Sequence, residues 1–282
     1  MCRWCVEYGK GTKWYLNPEN YRKELYEAPG HSASFHMLAG AGKNMFEVGG
    51  MSGLDDTAEN LFDTDALSVA SESIISHCGQ VVPLEDAFKV VDLTGDRFLL
   101  MHCACRRYFG QDDYYSCLFF EPAVDQALSE RPWETDSKVI DKKEAKKFLT
   151  EMDKNGCVHS LFDLGVDIDG KPPIVICNCS YPDCAGFVIR SHYGVTNAPR
   201  KAEYVAVVDR KKCLKGCEVE CKEYPRCMPR CQFGAMRFSP TQKVMNVAIA
   251  ECFGCGLCRR VCPTGALSLR NRLDYPALVD VW

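Results

Sequence analysis

Cys252-Phe253-Gly254-Cys255-Gly256-Leu257-Cys258-Arg259-Arg260-Val261-Cys262-Pro263 carries four cysteines at the spacing C-x2-C-x2-C-x3-C-P. Each iron of a four-iron cubane takes one thiolate. Three cysteines this close wrap one side of such a cage, and the fourth reaches across to a neighbouring cage. The spacing therefore predicts a pair of 4Fe-4S sites. Gly254 and Gly256 let the loop backbone approach inorganic sulfide, where its N–H groups tune the potential. The proline after Cys262 suits a chain leaving a short helix. Chance placement of four core thiols is a poor account of this spacing.

A second run lies upstream, Cys213-x3-Cys217-x3-Cys221-x5-Cys227-x3-Cys231. It continues Cys231-Gln-Phe-Gly-Ala, as the downstream run continues Cys262-Pro-Thr-Gly-Ala. Two copies closing on C-x-x-G-A read as a duplicated unit. Cys231 is expected to complete the cage held by Cys252, Cys255 and Cys258, and Cys262 to complete the upstream cage. The upstream run holds one cysteine too many. Cys227 and Cys231 match the third and fourth positions and Cys213 the first, while Cys217 and Cys221 compete for the second, with Cys217 preferred. The residues around Pro225 read as an inserted loop.

From about 204 to 271 these motifs resemble the two-cluster bacterial-type ferredoxin family. The resemblance implies a pseudo-twofold βαββαβ-like unit with two 4Fe-4S clusters, one-electron transfer as its role, and redox partner proteins, with the chain as a subunit of a larger complex. It does not say which reaction the relay serves.

A further set of cysteines precedes residue 200: His102-Cys103-Ala104-Cys105-Arg106, Cys117-Leu118-Phe119-Phe120, Cys157, Cys177-Asn178-Cys179 and Cys184. Both C-x-C pairs are expected on turns that end buried strands, where a site can be assembled from separate segments. Two readings stay open for Cys103, Cys105, Cys117, Cys177, Cys179 and Cys184. They hold a third iron–sulfur cluster or a zinc, or they are buried core thiols. Iron is preferred to zinc because the neighbouring motifs already depend on cluster assembly. Arg106 is a candidate counter-charge, with a surface arginine as the alternative. His102 and His159 are candidate ligands or proton donors, with a satisfied core histidine as the alternative. With Val158-His159-Ser160, these stretches resemble a broader group of anaerobic iron–sulfur proteins, in which C-x-C-R, Cys-Leu-x-Phe and Cys-Asn-Cys segments precede the two-cluster unit. That resemblance implies an architecture over roughly 80–270 more than an activity. Cys2 and Cys5 form a terminal C-x2-C pair that needs two more ligands, for which His31 and His36 are candidates. Cys78 is expected in the core.

The remaining composition narrows the function classes. The chain has 282 residues, 46% of them hydrophobic, enough for one large or two modest packed domains. A net charge of −4 gives no nucleic-acid footprint. Basic residues nonetheless gather over 200–230, a face for an acidic partner or a solvated surface around anionic clusters. Nineteen cysteines at metal-ligand spacing, with no apolar segment after Met1-Cys2-Arg3-Trp4-Cys5, point to a reducing, cytoplasmic setting. No apolar run is long enough to span a bilayer. Phosphate-loop, dinucleotide, Ser-His-Asp and paired-carboxylate signatures are absent.

The expected fold class is α+β. A mostly helical N-terminal domain with a few buried strands fills 1–200, the ferredoxin-like βαββαβ domain 201–272, and a tail 273–282. Helices are expected over 17–27, 57–76, 83–92, 141–155 and 181–192. Strands are expected over 98–103, 172–177, 204–209 and 266–269, with a hairpin of 235–238 and 244–249. Residues 31–56, rich in glycine, read as a long docking loop. Two functions remain: an electron-transfer protein or subunit, or a reductase whose upstream cysteines hold a catalytic third cluster. A zinc-stapled interaction module is the weaker third.

Overall fold

The computed structural model describes residues 3–26, 79–103, 105–106, 115–130, 132, 134–163, 173–184, 187, 190, 199–219, 221 and 225–281. The glycine-rich stretch, the helix expected over 57–76, and Cys2, His31, His36 and Cys78 lie outside them. Helix α1 (Arg3–Tyr8) leads to a buried turn carrying Trp14 and Tyr15. Asn17 accepts a hydrogen bond from the Glu19 amide, so the expected cap is present. Pro18–Tyr21 is nevertheless a 3-10 turn, and Arg22 then becomes extended with ψ 136°. The helix expected over 17–27 is thereby broken, leaving α2 (Lys23–Tyr26).

Six strands form one antiparallel sheet in the order β1-β5-β6-β3-β2-β4. They are β1 (Gln80–Val82), β2 (Arg97–His102), β3 (Tyr115–Phe119), β4 (Lys138–Asp141), β5 (Val158–Asp163) and β6 (Pro173–Cys179). A strand's period of two sends Phe98 and Leu100 to one face and Leu99 and Met101 to the other. Both faces are covered. The first packs on α3 (Leu84–Leu93) and α5 (Lys142–Asn155) through Ala87, Val90, Val91, Ala145 and Leu149. The second packs on α4 (Glu121–Glu130) through Ala123, Val124 and Ala127. Burial on both faces explains why 98–101 reads as an unbroken apolar run. Each large side chain so buried contributes about 1.5–3 kcal/mol. Six strands, where the sequence suggested a few, make a sheet rather than a helical array the frame of this half.

Helix α5 matches its expected bounds because both ends are chemically marked. The Asp141 side chain accepts from the Glu144 amide at 2.8 Å, the Glu144 carboxylate accepts from the Asp141 amide at 3.1 Å, and Gly156 closes the helix at φ 92°. Such a reciprocal cap contributes about 1 kcal/mol.

The C-terminal unit contains β7 (Tyr204–Val208), α6 (Arg210–Val219), α7 (Cys227–Arg230), β8 (Met236–Ser239), β9 (Val244–Val247), α8 (Leu257–Arg260) and β10 (Leu267–Asn271). β7 pairs antiparallel with β10, and β8 with β9. Helix α6 was not expected. The Asp209 carboxylate caps it, accepting from the amides of Lys211 and Lys212 at 3.0 and 3.1 Å. The tail packs back: Leu278 is buried in the same core as Val205, Val244 and Leu267. The two halves meet through Glu85, which holds Arg259 in a bidentate pair at 2.9 Å, and through Asp153, which pairs with Arg260 at 2.7 Å.

Candidate metal centres

Cys252 and Cys255 precede α8, and Cys258 lies within it. Cys231 caps the end of α7 and packs against the core that holds Cys252 and Cys258. Gly254 is at φ 70°, and a Cβ there would stand 2.2 Å from the Tyr204 oxygen, so only glycine fits. The amides of Ala206 and Gly254 donate to the Cys252 sulfur at 3.3 and 3.4 Å. Such N–H···S bonds favour the thiolate and set cluster potential.

A second group gathers around Cys262. A small cavity is lined by Cys213, Cys221, Cys227 and Cys262, with Met245 and Leu267 as apolar wall. Met245 donates its amide to Cys213 Sγ at 3.3 Å, and Ala266 to Cys262 Sγ at 3.2 Å. Cys213 lies on helix α6, just past β7. Cys221, one of the two candidates for the second ligand, faces this cavity. The side chain of Cys217 lies outside the described residues.

Burial pushes the Cys227 and Cys258 thiols up to about 12, and raises Cys252 and Cys255 as well. The thiolate is the form that ligates a metal, and metal binding releases the proton. Buried and half-buried thiols that meet backbone N–H donors, as Cys213, Cys252 and Cys262 do, are a donor set that fits a four-iron cluster. Among the described residues no three His, Cys, Asp or Glu side chains converge on a single ion. Ligands that each cap a different iron ring a space instead of meeting at a point.

The six upstream cysteines also come together. Cys117 and Cys177 face each other across β3 and β6, with their sulfurs 3.6 Å apart. Cys103 reaches Cys117 and Cys105, Cys105 reaches Cys184, and Cys184 reaches Cys179. Cys103, just past β2, is the common acceptor: thiol donors from Cys105 and Cys117 lower it well below its ordinary value. The Cys177-Asn178-Cys179 pair lies within β6, not on a turn beyond it. The strand's period of two places both thiols on one face.

The same period removes a candidate. His159 Nδ1 meets Asn178 Oδ1 at 2.7 Å, on the face opposite the thiols, and burial lowers the imidazole's pKa. His102 packs against Tyr115 with ring centroids 4.2 Å apart and planes tilted by 34°. Arg106 is buried, not at the surface: its Nη2 donates to Ser180 Oγ at 2.8 Å and to the Asn178 oxygen at 3.4 Å, and it pairs with Asp183. Cys5 is buried and its thiol donates to Glu203 Oε1 at 3.0 Å.

Two features had no sequence signal. Arg272, fully buried, donates to the backbone oxygens of Ala202, Tyr204 and Cys252. Phe187, Phe233 and Phe253 build an apolar bridge with Cys179, Cys184 and Leu257 between the upstream thiols and the downstream motif.

Residues 250–268 match the 4Fe-4S binding domain family. No solved structure matches the chain. No helix among the described residues is long and apolar enough to cross a membrane. Through residues 250–268 the protein has at least one 4Fe-4S binding site and, with it, an iron–sulfur electron-transfer role in the general sense.

Proposed function

We propose that the protein relays single electrons between redox partners through two 4Fe-4S clusters. One is held by Cys231, Cys252, Cys255 and Cys258, the other by Cys213, Cys221, Cys227 and Cys262. The observation that supports this reading is that Cys262, the fourth cysteine of the downstream motif, lines one cavity with Cys213, Cys221 and Cys227 of the upstream run. The strand and helix order of 204–271 supports the ferredoxin-like arrangement. When bound, each cluster supplies a one-electron couple. The chain's own residues bury the sulfurs, direct amides at Cys213, Cys252 and Cys262, and exclude water. Helix α6 exposes Arg210, Lys211, Lys212 and Lys215, a basic face suited to an acidic partner protein. Iron and acid-labile sulfide per chain, measured after anaerobic reconstitution, test the assignment. About eight irons are expected in the C-terminal unit. Cys231→Ser and Cys262→Ser should each perturb a different cluster in the electron paramagnetic resonance spectrum. Loss of the same signal in both variants would sink the exchange.

The convergence of six thiols favours a second reading, a reductase. Here Cys103, Cys105, Cys117, Cys177, Cys179 and Cys184 hold a third iron–sulfur centre, with Arg106 as a nearby cation. A total of about twelve irons supports it. About eight irons with one zinc replaces iron by a structural metal, and about eight with no zinc returns these cysteines to the core.

A further inference from the structure

A cavity of about 360 Å3 opens where the six-stranded sheet meets the C-terminal unit. Phe187, Phe233 and Phe253 form its aromatic wall, and Arg190, Lys201 and Glu251 are its charged groups. Phe233 and Phe253 stack with centroids 3.8 Å apart and planes 8° from parallel, and Phe187 meets Phe233 edge-on at 5.3 Å. The Arg190 guanidinium lies 4.6 Å and the Lys201 ammonium 5.7 Å from the Phe253 centroid. Two cations thus share one aromatic platform.

Lys201 is only 6% exposed and donates to the Ala250 oxygen at 2.7 Å. Among the described residues no carboxylate pairs with it. The Glu251 carboxylate accepts instead from Arg237, outside the cavity. A buried ammonium held by one carbonyl is costly until an anion joins it. The volume is that of a small-molecule site. Flat rings favour a planar ligand, and the cations favour a negative one.

We propose that this cavity binds a small planar anion, an aromatic or conjugated carboxylate, with its charge on Lys201 and Arg190 and its plane against the phenylalanine wall. Phe253 directly follows Cys252, and Phe233 lies two residues past Cys231. The ligand therefore sits beside the cluster assigned to those cysteines. That adjacency rests on the relay reading, whereas binding itself does not.

Titration calorimetry of the reconstituted full chain tests it, with benzoate as the probe, benzyl alcohol as its neutral counterpart and inorganic phosphate as a non-planar anion. Benzoate is expected to bind at least tenfold more tightly than either control. Lys201→Met should weaken it at least tenfold, and Lys201→Arg should retain it, with melting temperature and iron content unchanged in both. If Lys201→Met unfolds, Arg190→Met provides the same comparison. Absence of benzoate binding, equal affinity for a control, or an unaltered affinity in a folded charge-removed variant overturns the site. Benzoate binding to a chain that takes up no iron would sink the relay and leave the site standing.

Discussion

The buried guanidinium of Arg272 donates from Nη2 to the backbone oxygen of Cys252 at 2.7 Å. The same side chain binds the oxygens of Ala202 and Tyr204, so one cation ties the first cysteine of the motif to strand β7. Burial lowers its pKa, but the group stays charged. Arg272→Met leaves four carbonyls, those of Ala202, Tyr204, Cys252 and Val281, without this donor. It is expected to cost about 3 kcal/mol or more in chemical denaturation, with faster loss of the cluster's visible absorbance. A variant as stable as the parent would refute the role.

Two glycines with similar backbones separate strain from collision. Gly254 has φ 70° and a Tyr204 oxygen 2.2 Å from where a Cβ would sit, whereas Gly234 has φ 67° and open space. Gly234→Ala should cost about 1 kcal/mol. Gly254→Ala must move β7 or the loop. It should cost about 3 kcal/mol or more and reduce iron uptake. Equal melting temperatures for the two variants would contradict this.

The spare cysteine is open to a direct comparison. Cys221 lines the cavity with Cys213, Cys227 and Cys262. Cys221→Ser should therefore remove or alter one cluster signal, while Cys217→Ser keeps the full iron content. Iron loss confined to Cys217→Ser would reverse the assignment.

Asp86 links the N-terminal segment to both halves of the molecule. Its buried carboxylate accepts from Lys13 at 2.7 Å, Lys89 at 2.9 Å, Tyr15 at 3.0 Å and Tyr204 at 2.9 Å. Burial raises its pKa, but the hydrogen bonds and charges of Lys13 and Lys89 outweigh it and hold the carboxyl below its ordinary value. A depressed folded pKa stabilises the fold above the unfolded value near pH 4, and that contribution is lost as pH falls through the folded value. Denaturation midpoints of the parent should therefore fall below about pH 4, and Asp86→Asn should be weaker by about 3 kcal/mol at pH 7 with a flatter acid slope. Parallel acid curves would count against it.

What the cysteine spacing legislates, it legislates locally. Cys252, Cys255 and Cys258 are brought together by a seven-residue stretch of backbone, so their grouping was legible, as were the Asp141 cap and the Gly156 stop of α5. The choice between Cys217 and Cys221 was not, because it depends on where α6 ends and which side chain faces the cavity. The upstream cysteines were recognisable as a cluster only by composition. Their union depends on β3 lying beside β6 in a register that sets Cys117 opposite Cys177.

Sequence alone, then, determined the iron-binding motif, its duplicated ending and several helix ends, all governed by neighbours within a few residues. Tertiary structure alone decided that His159 faces away from the thiols, that Arg272 anchors Cys252, and that Phe233 stacks on Phe253. Those relations arise from sheet register and packing between segments far apart in the chain, where a one-residue shift would turn every side chain to the other face.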